Sequence, residues 1–203
     1  MPISDFKQKD ILYLYSKMEP LVFIETPRLI LRDWTAADHN QFIKLNQDME
    51  VMEFFPSTLT KEETASQIVR IDNHFKQYGY GLFAIERKDS SQFIGFTGFS
   101  HPGFESYFTP CVEIGWRLSK ANWNKGFATE ATKACLVYGF SKLGFEEVYS
   151  FTSVHNLRSE QVMIKAGMTK RGFFDHPAVA NGSVLKQHVL YKIESQHKSL
   201  DSR

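Results

Sequence analysis

The chain has 203 residues, 42% of them hydrophobic and 18 of them Phe, enough apolar mass for a sizeable core and too much for a disordered chain. Lys+Arg number 24 and Asp+Glu 23, so the net charge is +1 and the electrostatic footprint of a nucleic-acid binder is missing. Two cysteines, Cys111 and Cys135, make neither a disulfide framework nor a zinc site, and the 7 histidines fall into no ligand spacing. No apolar run approaches the roughly 20 residues that span a bilayer. The expectation is a cytoplasmic protein with no metal and no membrane or nucleic-acid partner; the sequence leaves a homodimer open.

Residues 1–21 read as an N-terminal extension. Its apolar stretch ILYLY (11–15) is too short for a signal h-region and lacks a small-residue cleavage site, and Met18 is an alternative start. A domain over 22–194 follows, then a polar tail over 195–203. FIETPRLILRDW (23–34) alternates and predicts a strand around 28–33. Thr35-Ala-Ala-Asp38 is a capping box that opens a helix over 36–48. Thr60-Lys-Glu-Glu63 opens a longer one, with Ile68, Ile71, Phe75 and Tyr78 at helical spacing and Gly79 as its stop. Between the helices, Phe54 and Phe55 on a loop either cover the core or wall a substrate site.

A meander comes next. LFAIERK (82–88) and QFIGFTGF (92–99) flank a polar turn, and CVEIGWRL (111–118) follows a Pro/Gly loop. A helix over 127–142 ends at Gly144, with Phe145 placed for a Schellman contact. EVYSFTSV (147–154) is a strand, and a crossover of this length predicts that it runs parallel to 111–118. A short helix within 155–168, capped at Asn156, and strands at 169–174 and 184–193 complete the chain. The fold class is therefore α+β, with a mixed sheet holding one parallel central pair.

The joint NWNKGFATEA (122–131) leads from strand to helix. The first helical turn has amides without intrahelical partners, and the macrodipole adds positive potential there. Gly126 permits close approach, Asn124 tolerates the left-handed region, and Lys125 supplies a point charge. Such a turn is either an anion site or a plain connection; it is no Walker loop and no dinucleotide fingerprint.

VEIGWRLSKANWNKGFATEA followed by HNLRSEQVMIKAGM resembles the GNAT superfamily of acyl-CoA-dependent N-acyltransferases. It is most similar to the RimJ/RimL branch, which acetylates ribosomal-protein N-termini, and the likeness runs over about 22–194. The resemblance implies that acetyl-CoA is the co-substrate. Backbone amides at Asn124, Lys125, Gly126, Phe127, Ala128 and Thr129 would hold its pyrophosphate. The strand carrying Ile114, Trp116 and Leu118 would pair with its pantetheine arm, and a wedge between that strand and 147–154 would admit the thioester. The family's Gln/Arg-x-x-Gly-x-Gly/Ala pattern falls on 123–128, with Trp123 in the Gln/Arg place, so the backbone has to do most of the holding.

The resemblance further implies Glu113 as a base acting through water, against the alternative of an edge carboxylate facing solvent. Asn156 would contact the cofactor arm, and Ser159 would do so or hydrogen-bond the departing sulfur. Many relatives place a Tyr seven residues after that Asn as general acid; here the position is Met163. The implied reaction is direct attack of a primary amine on the thioester in a ternary complex. The acceptor is a protein N-terminus or, alternatively, a small amine such as a polyamine, aminoglycoside or amino acid. A CoA-binding module without activity is the other alternative.

Overall fold

The computed structural model describes residues 19–196. The ILYLY stretch, Met18 and the end of the polar tail lie outside the described residues.

The segment expected as one strand is a hairpin of two, β1 (Val22–Glu25) and β2 (Leu29–Arg32), paired antiparallel. Pro27 cannot donate to a ladder and sits in the bend, where Thr26 N donates to Leu29 O at 2.9 Å and Leu29 N to Thr26 Oγ1 at 2.9 Å. A 3-10 turn (Ala36–Asp38) leads into α1 (His39–Gln47), and α2 spans Lys61–Tyr78. The Thr60 capping box is reciprocal: Glu63 N donates to Thr60 Oγ1 at 3.1 Å and Thr60 N to Glu63 Oε2 at 2.7 Å. Gly79, in the left-handed region at φ 75°, closes the helix through its amide to Phe75 O.

Strands β3 (Leu82–Arg87), β4 (Gln92–Ser100) and β5 (Glu113–Leu118) continue the antiparallel run. Helix α3 (Phe127–Ser141) crosses to β6 (Glu147–Ser153), α4 (Leu157–Lys165) follows, and β7 (Thr169–Asp175) and β8 (Gln187–Glu194) close the sheet. The strand order is β1-β2-β3-β4-β5-β6-β8-β7. Among the described strands only β5 and β6 are parallel, and their register holds at one residue pair, Glu113 with Tyr149. Beyond it β5 stays with β4 while β6 stays with β8, so the two strands part toward their C-terminal ends.

Each face of the sheet has its own core. On one, Ile114, Leu118, Val148 and Val189 pack beneath Phe127, Ala131, Cys135 and Leu136 of α3 and Met163 of α4. On the other, Phe42 and Leu45 of α1 and Ile71 of α2 cover Ala84, Phe93 and Phe96. The alternation along β5 therefore sends Ile114, Trp116 and Leu118 toward α3, and Glu113 and Arg117 toward the α1–α2 side. A third cluster of Phe108, Phe174 and Leu190 lies beside β6 on that second side.

One buried ion pair locks β2 to the first helical turn. Arg32 meets Asp38 at 2.8 and 2.9 Å and Glu86 at 2.8 Å. Burial pushes the Asp38 carboxyl up, but hydrogen bonds from Arg32 and Thr35 outweigh it and hold the group below the usual carboxylate range. Its contribution is thus present above the ordinary carboxylate pKa and lost as pH falls through the depressed one. Asp38→Ala leaves a buried guanidinium with one partner fewer, and urea unfolding at neutral pH should show a loss of about 3 kcal/mol.

Candidate active site

The N-terminus of α3 has the backbone an anion cradle needs. Asn124 lies at φ 58° and Gly126 at φ 81°, and Gly126 is the N-cap residue. These two left-handed residues bend the chain so that the first free amides of α3 point along the helix axis into open space. A side chain on Gly126 would be strained by the φ alone, while its Cβ would meet nothing closer than Arg28 Nη2, at 3.3 Å.

Arg28 is a neighbour that local sequence did not reveal. Its Nη1 donates to Lys125 O at 2.9 Å and its Nε to Glu130 Oε2 at 2.6 Å, and its guanidinium lies 4.5 Å from the Phe127 ring centroid. Glu130 Oε1 also accepts from Thr26 Oγ1 at 2.6 Å and from Arg28 N at 3.0 Å. The β1–β2 hairpin thus clamps the turn from below, and the charge of Arg28 is answered by Glu130. Thr-Pro-Arg gives no local sign of a contact 102 residues away. Trp123 fixes the turn from above: its Nε1 donates to Leu118 O at 2.8 Å and Arg158 stacks on its ring at 4.5 Å.

From this turn a cleft of about 810 Å³ runs along the gap between β5 and β6 and through to the opposite face of the sheet. Its α3 half is lined by Asn124, Gly126, Phe127, Ala128 and Thr129, with Trp116 and Leu118 of β5 and Asn156 and Ser159 of α4. The other half holds Glu113, Arg117 and Ser100, the loop aromatics Phe54 and Phe55, and Phe96, Phe151, His176 and His188. Two expected site residues stand apart. Ile114 is fully buried, its carbonyl already accepts from Ser150 Oγ at 2.9 Å, and it does not line the cleft. Lys125 is exposed and does not line it either.

Glu113 sits where the two strands part, on an interior strand, so it is no edge carboxylate. Burial raises its carboxyl to about 7, opposed only weakly by a 3.4 Å hydrogen bond from Ser100 Oγ. A carboxylate poised near neutrality can accept a proton and release it again at ordinary pH. The histidines in the same half are weaker proton acceptors: burial lowers both, His188 to about 4.

Asn156 caps α4 through its Oδ1, which accepts from Ser159 N at 3.2 Å, and its Nδ2 donates to Thr152 Oγ1 at 3.0 Å. Both ends of this side chain are therefore already engaged. Ser159 lines the cleft. Met163 is fully buried in the core and offers no proton.

The donor set suits a diphosphate joined to an apolar arm, with amides at the helix N-terminus and a gap in the sheet. Comparisons with known proteins agree. The acetyltransferase (GNAT) domain family matches residues 28–169. YnaD of Bacillus subtilis, an uncharacterised N-acetyltransferase, is 32% identical over 152 residues, 74% of this chain and 85% of its own length. A GNAT-family acetyltransferase from Bacillus anthracis superimposes with a TM-score of 0.69 at 26% identity, over 85% of this chain and 98% of that one. The spermidine N-acetyltransferase of Vibrio cholerae, solved with CoA and spermine, shares the fold at a TM-score of 0.66 and 19% identity, over 83% and 96% of the two chains.

Proposed function

The chain belongs to the GNAT acetyltransferase family, and from that premise we propose that it acetylates the α-amine of a protein N-terminus, of the ribosomal-protein type, in the cytoplasm. It is an N-acetyltransferase that uses acetyl-CoA. The observation behind the acetyl-transfer reading is one cleft that joins the amide cradle at Gly126 to the partly buried carboxylate of Glu113; the protein acceptor rests on the likeness to the RimJ/RimL branch.

Acetyl-CoA supplies an acetyl thioester. In the proposed reaction an N–C bond forms, the thioester C–S bond breaks, one amine proton passes to Glu113 through water, and the thiolate leaves to take up a proton. The amides of 124 and 126–129 hold the diphosphate. The edge of β5 beyond Glu113, no longer paired to β6, offers backbone groups to an extended arm around Trp116, while the Leu118 carbonyl is already taken by Trp123 Nε1. Ser159, which lines the cleft, is the hydroxyl to which we assign the hydrogen bond to the sulfur, since Met163 cannot make it. Phe54 and Phe55 wall the acceptor side.

A small primary amine is the second reading. The cleft volume lies within the range of small-molecule sites, and the Vibrio cholerae neighbour is named for spermidine. Two measurements separate these readings. Acetyl-CoA at about 100 times its Kd should raise the melting temperature by roughly 5–10 °C. Thiol release should then be followed with N-terminal peptides and with free amines. No thermal shift at millimolar acetyl-CoA defeats the site assignment, and turnover of free amines alone replaces the protein acceptor by the small one.

A further inference from the structure

The acceptor half of the cleft holds a positive charge that the protein leaves unanswered. Arg117 stands four residues beyond Glu113 on the same face of β5, partly buried and lining the cleft. Its Nη1 donates to Asn46 Oδ1 at 2.5 Å. Its guanidinium carbon lies 4.2 Å from the Phe55 ring centroid and 5.4 Å from that of Phe96. Its Nε is sealed from solvent and has no hydrogen-bond partner among the described residues. Among the described residues no carboxylate comes within ion-pair distance of it, whereas Arg28, Arg32, Arg87 and Arg158 each have one. The carboxylates that line the same cleft are Glu113 and Glu50, and Glu50 is held by Lys120 at 2.5 Å.

The support behind Arg117 is ordered. Asn46 is fully buried, and its amide nitrogen donates to Thr64 Oγ1 at 3.2 Å and Gln67 Oε1 at 3.1 Å. That fixes its oxygen toward the guanidinium. Desolvating an arginine without an anionic partner costs stability, and burial lowers its pKa to about 10, which leaves it charged at neutrality. A planar fork with donors unused, stacked between aromatic rings and facing a cleft, is the arrangement that takes a carboxylate.

We propose that the acceptor is an amine that also carries a carboxylate, and that Arg117 binds this carboxylate while the amine faces Glu113. The proposal rests on the reading of Glu113 as the group facing the amine. Spacing limits the acceptor. Four residues along a strand separate the two Cα atoms by about 13 Å. Each head stays in its own register on β4, Glu113 beside Ser100 and Arg117 over Phe96. A carboxylate on the amine-bearing carbon is too close to use both groups. Two sources fit: a peptide N-terminus with an acidic side chain at its second or third residue, at about 3.3–3.6 Å per extended residue, or an ω-amino acid. A polyamine would place a second cation against Arg117.

The test is steady-state thiol release with acetyl-CoA and matched acceptors. One arm uses C-terminally amidated tripeptides with Asp or Glu against Asn or Gln at the second and third positions. The other uses 6-aminohexanoate against its amide, with spermidine as an opposite-charge probe. The native protein should prefer acid over amide by roughly 10–100-fold in kcat/KM in whichever arm holds the true source. Arg117→Gln should reduce that ratio to near one while acetyl-CoA still raises the melting temperature. Equal rates on acid and amide, a preference for spermidine, or a ratio that survives Arg117→Gln overturns the proposal. Should Arg117→Gln not fold, the native ratio and its reduction in Arg117→Lys decide. Should no amine turn over although acetyl-CoA binds, the catalytic reading fails on its own account. Calorimetric titration of glutarate into the CoA-bound protein then reads the site: binding supports it and no binding overturns it.

Discussion

Glu113→Gln lowers kcat by roughly 10²–10³-fold and leaves acetyl-CoA binding unchanged. The amide keeps the volume and the hydrogen bond to Ser100 but cannot accept a proton. In the native protein kcat/KM should rise with pH as the carboxyl, raised by burial to about 7, loses its proton. That limb should vanish in the variant, which separates a base from a residue that merely packs. Stability should move the other way. The folded pKa lies above the ordinary value of 4.5, so the group's contribution is fully present below about 4.5 and is lost as pH rises through about 7. Above that, the native fold carries a buried charge that Gln does not. Glu113→Gln should therefore be more stable by on the order of 2 kcal/mol at pH 8 and no more stable at pH 4, read from urea midpoints. A variant that is inactive but less stable at pH 8 would point to a structural carboxylate instead.

The features legible in the sequence are those that local chemistry decides. The capping box at Thr60, the left-handed stop at Gly79, and the left-handed tolerance of Asn124 each need only neighbouring residues, and each stands where the pattern placed it. The parallel pairing of β5 with β6 followed from the length of the crossover. What stayed hidden depends on contacts between distant segments. The expected strand around 28–33 is β2, and β1 is missed because its four residues Val22–Glu25 are too short a run to signal a strand before Pro27. Arg28 and Glu130 meet across 102 residues, so neither signals its partner. The raised pKa of Glu113 is a property of burial, and the unanswered charge of Arg117 depends on Asn46 of α1 and the Phe55 ring brought against it; alternation along β5 says only that the two share a face. The resemblance to the family in turn marked Ile114 and Lys125 by motif position. It could not show that the Ile114 side chain is fully buried, or that Lys125 is exposed outside the cleft lining.

Gly126→Val should raise the Kd for acetyl-CoA by roughly 30-fold or more, while Lys125→Ala should change it less than about threefold. The difference is one of backbone against side chain. Gly126 sits at φ 81°, where a β-branched residue is a severe outlier. The substituent itself meets little, since Arg28 Nη2 at 3.3 Å ends a flexible side chain. The strain is relieved by rotating the peptide, and rotation turns the amides that follow away from the cleft. Lys125 lies outside the cleft lining, and its charge is exposed to water and salt. Two further variants isolate the cause. Gly126→Asn should fall between native and Val, because Asn tolerates the left-handed region; Asn124→Gly, at φ 58°, should bind almost as the native chain does. Melting of the ligand-free proteins should differ by only about 1–2 kcal/mol across the set, since the turn is at the surface and one strained residue costs little more. Calorimetric titration of acetyl-CoA gives the ranking. If Lys125→Ala proved the more damaging change, the diphosphate would be held by a side-chain cation, and the amide cradle at the start of α3 would have to be given up.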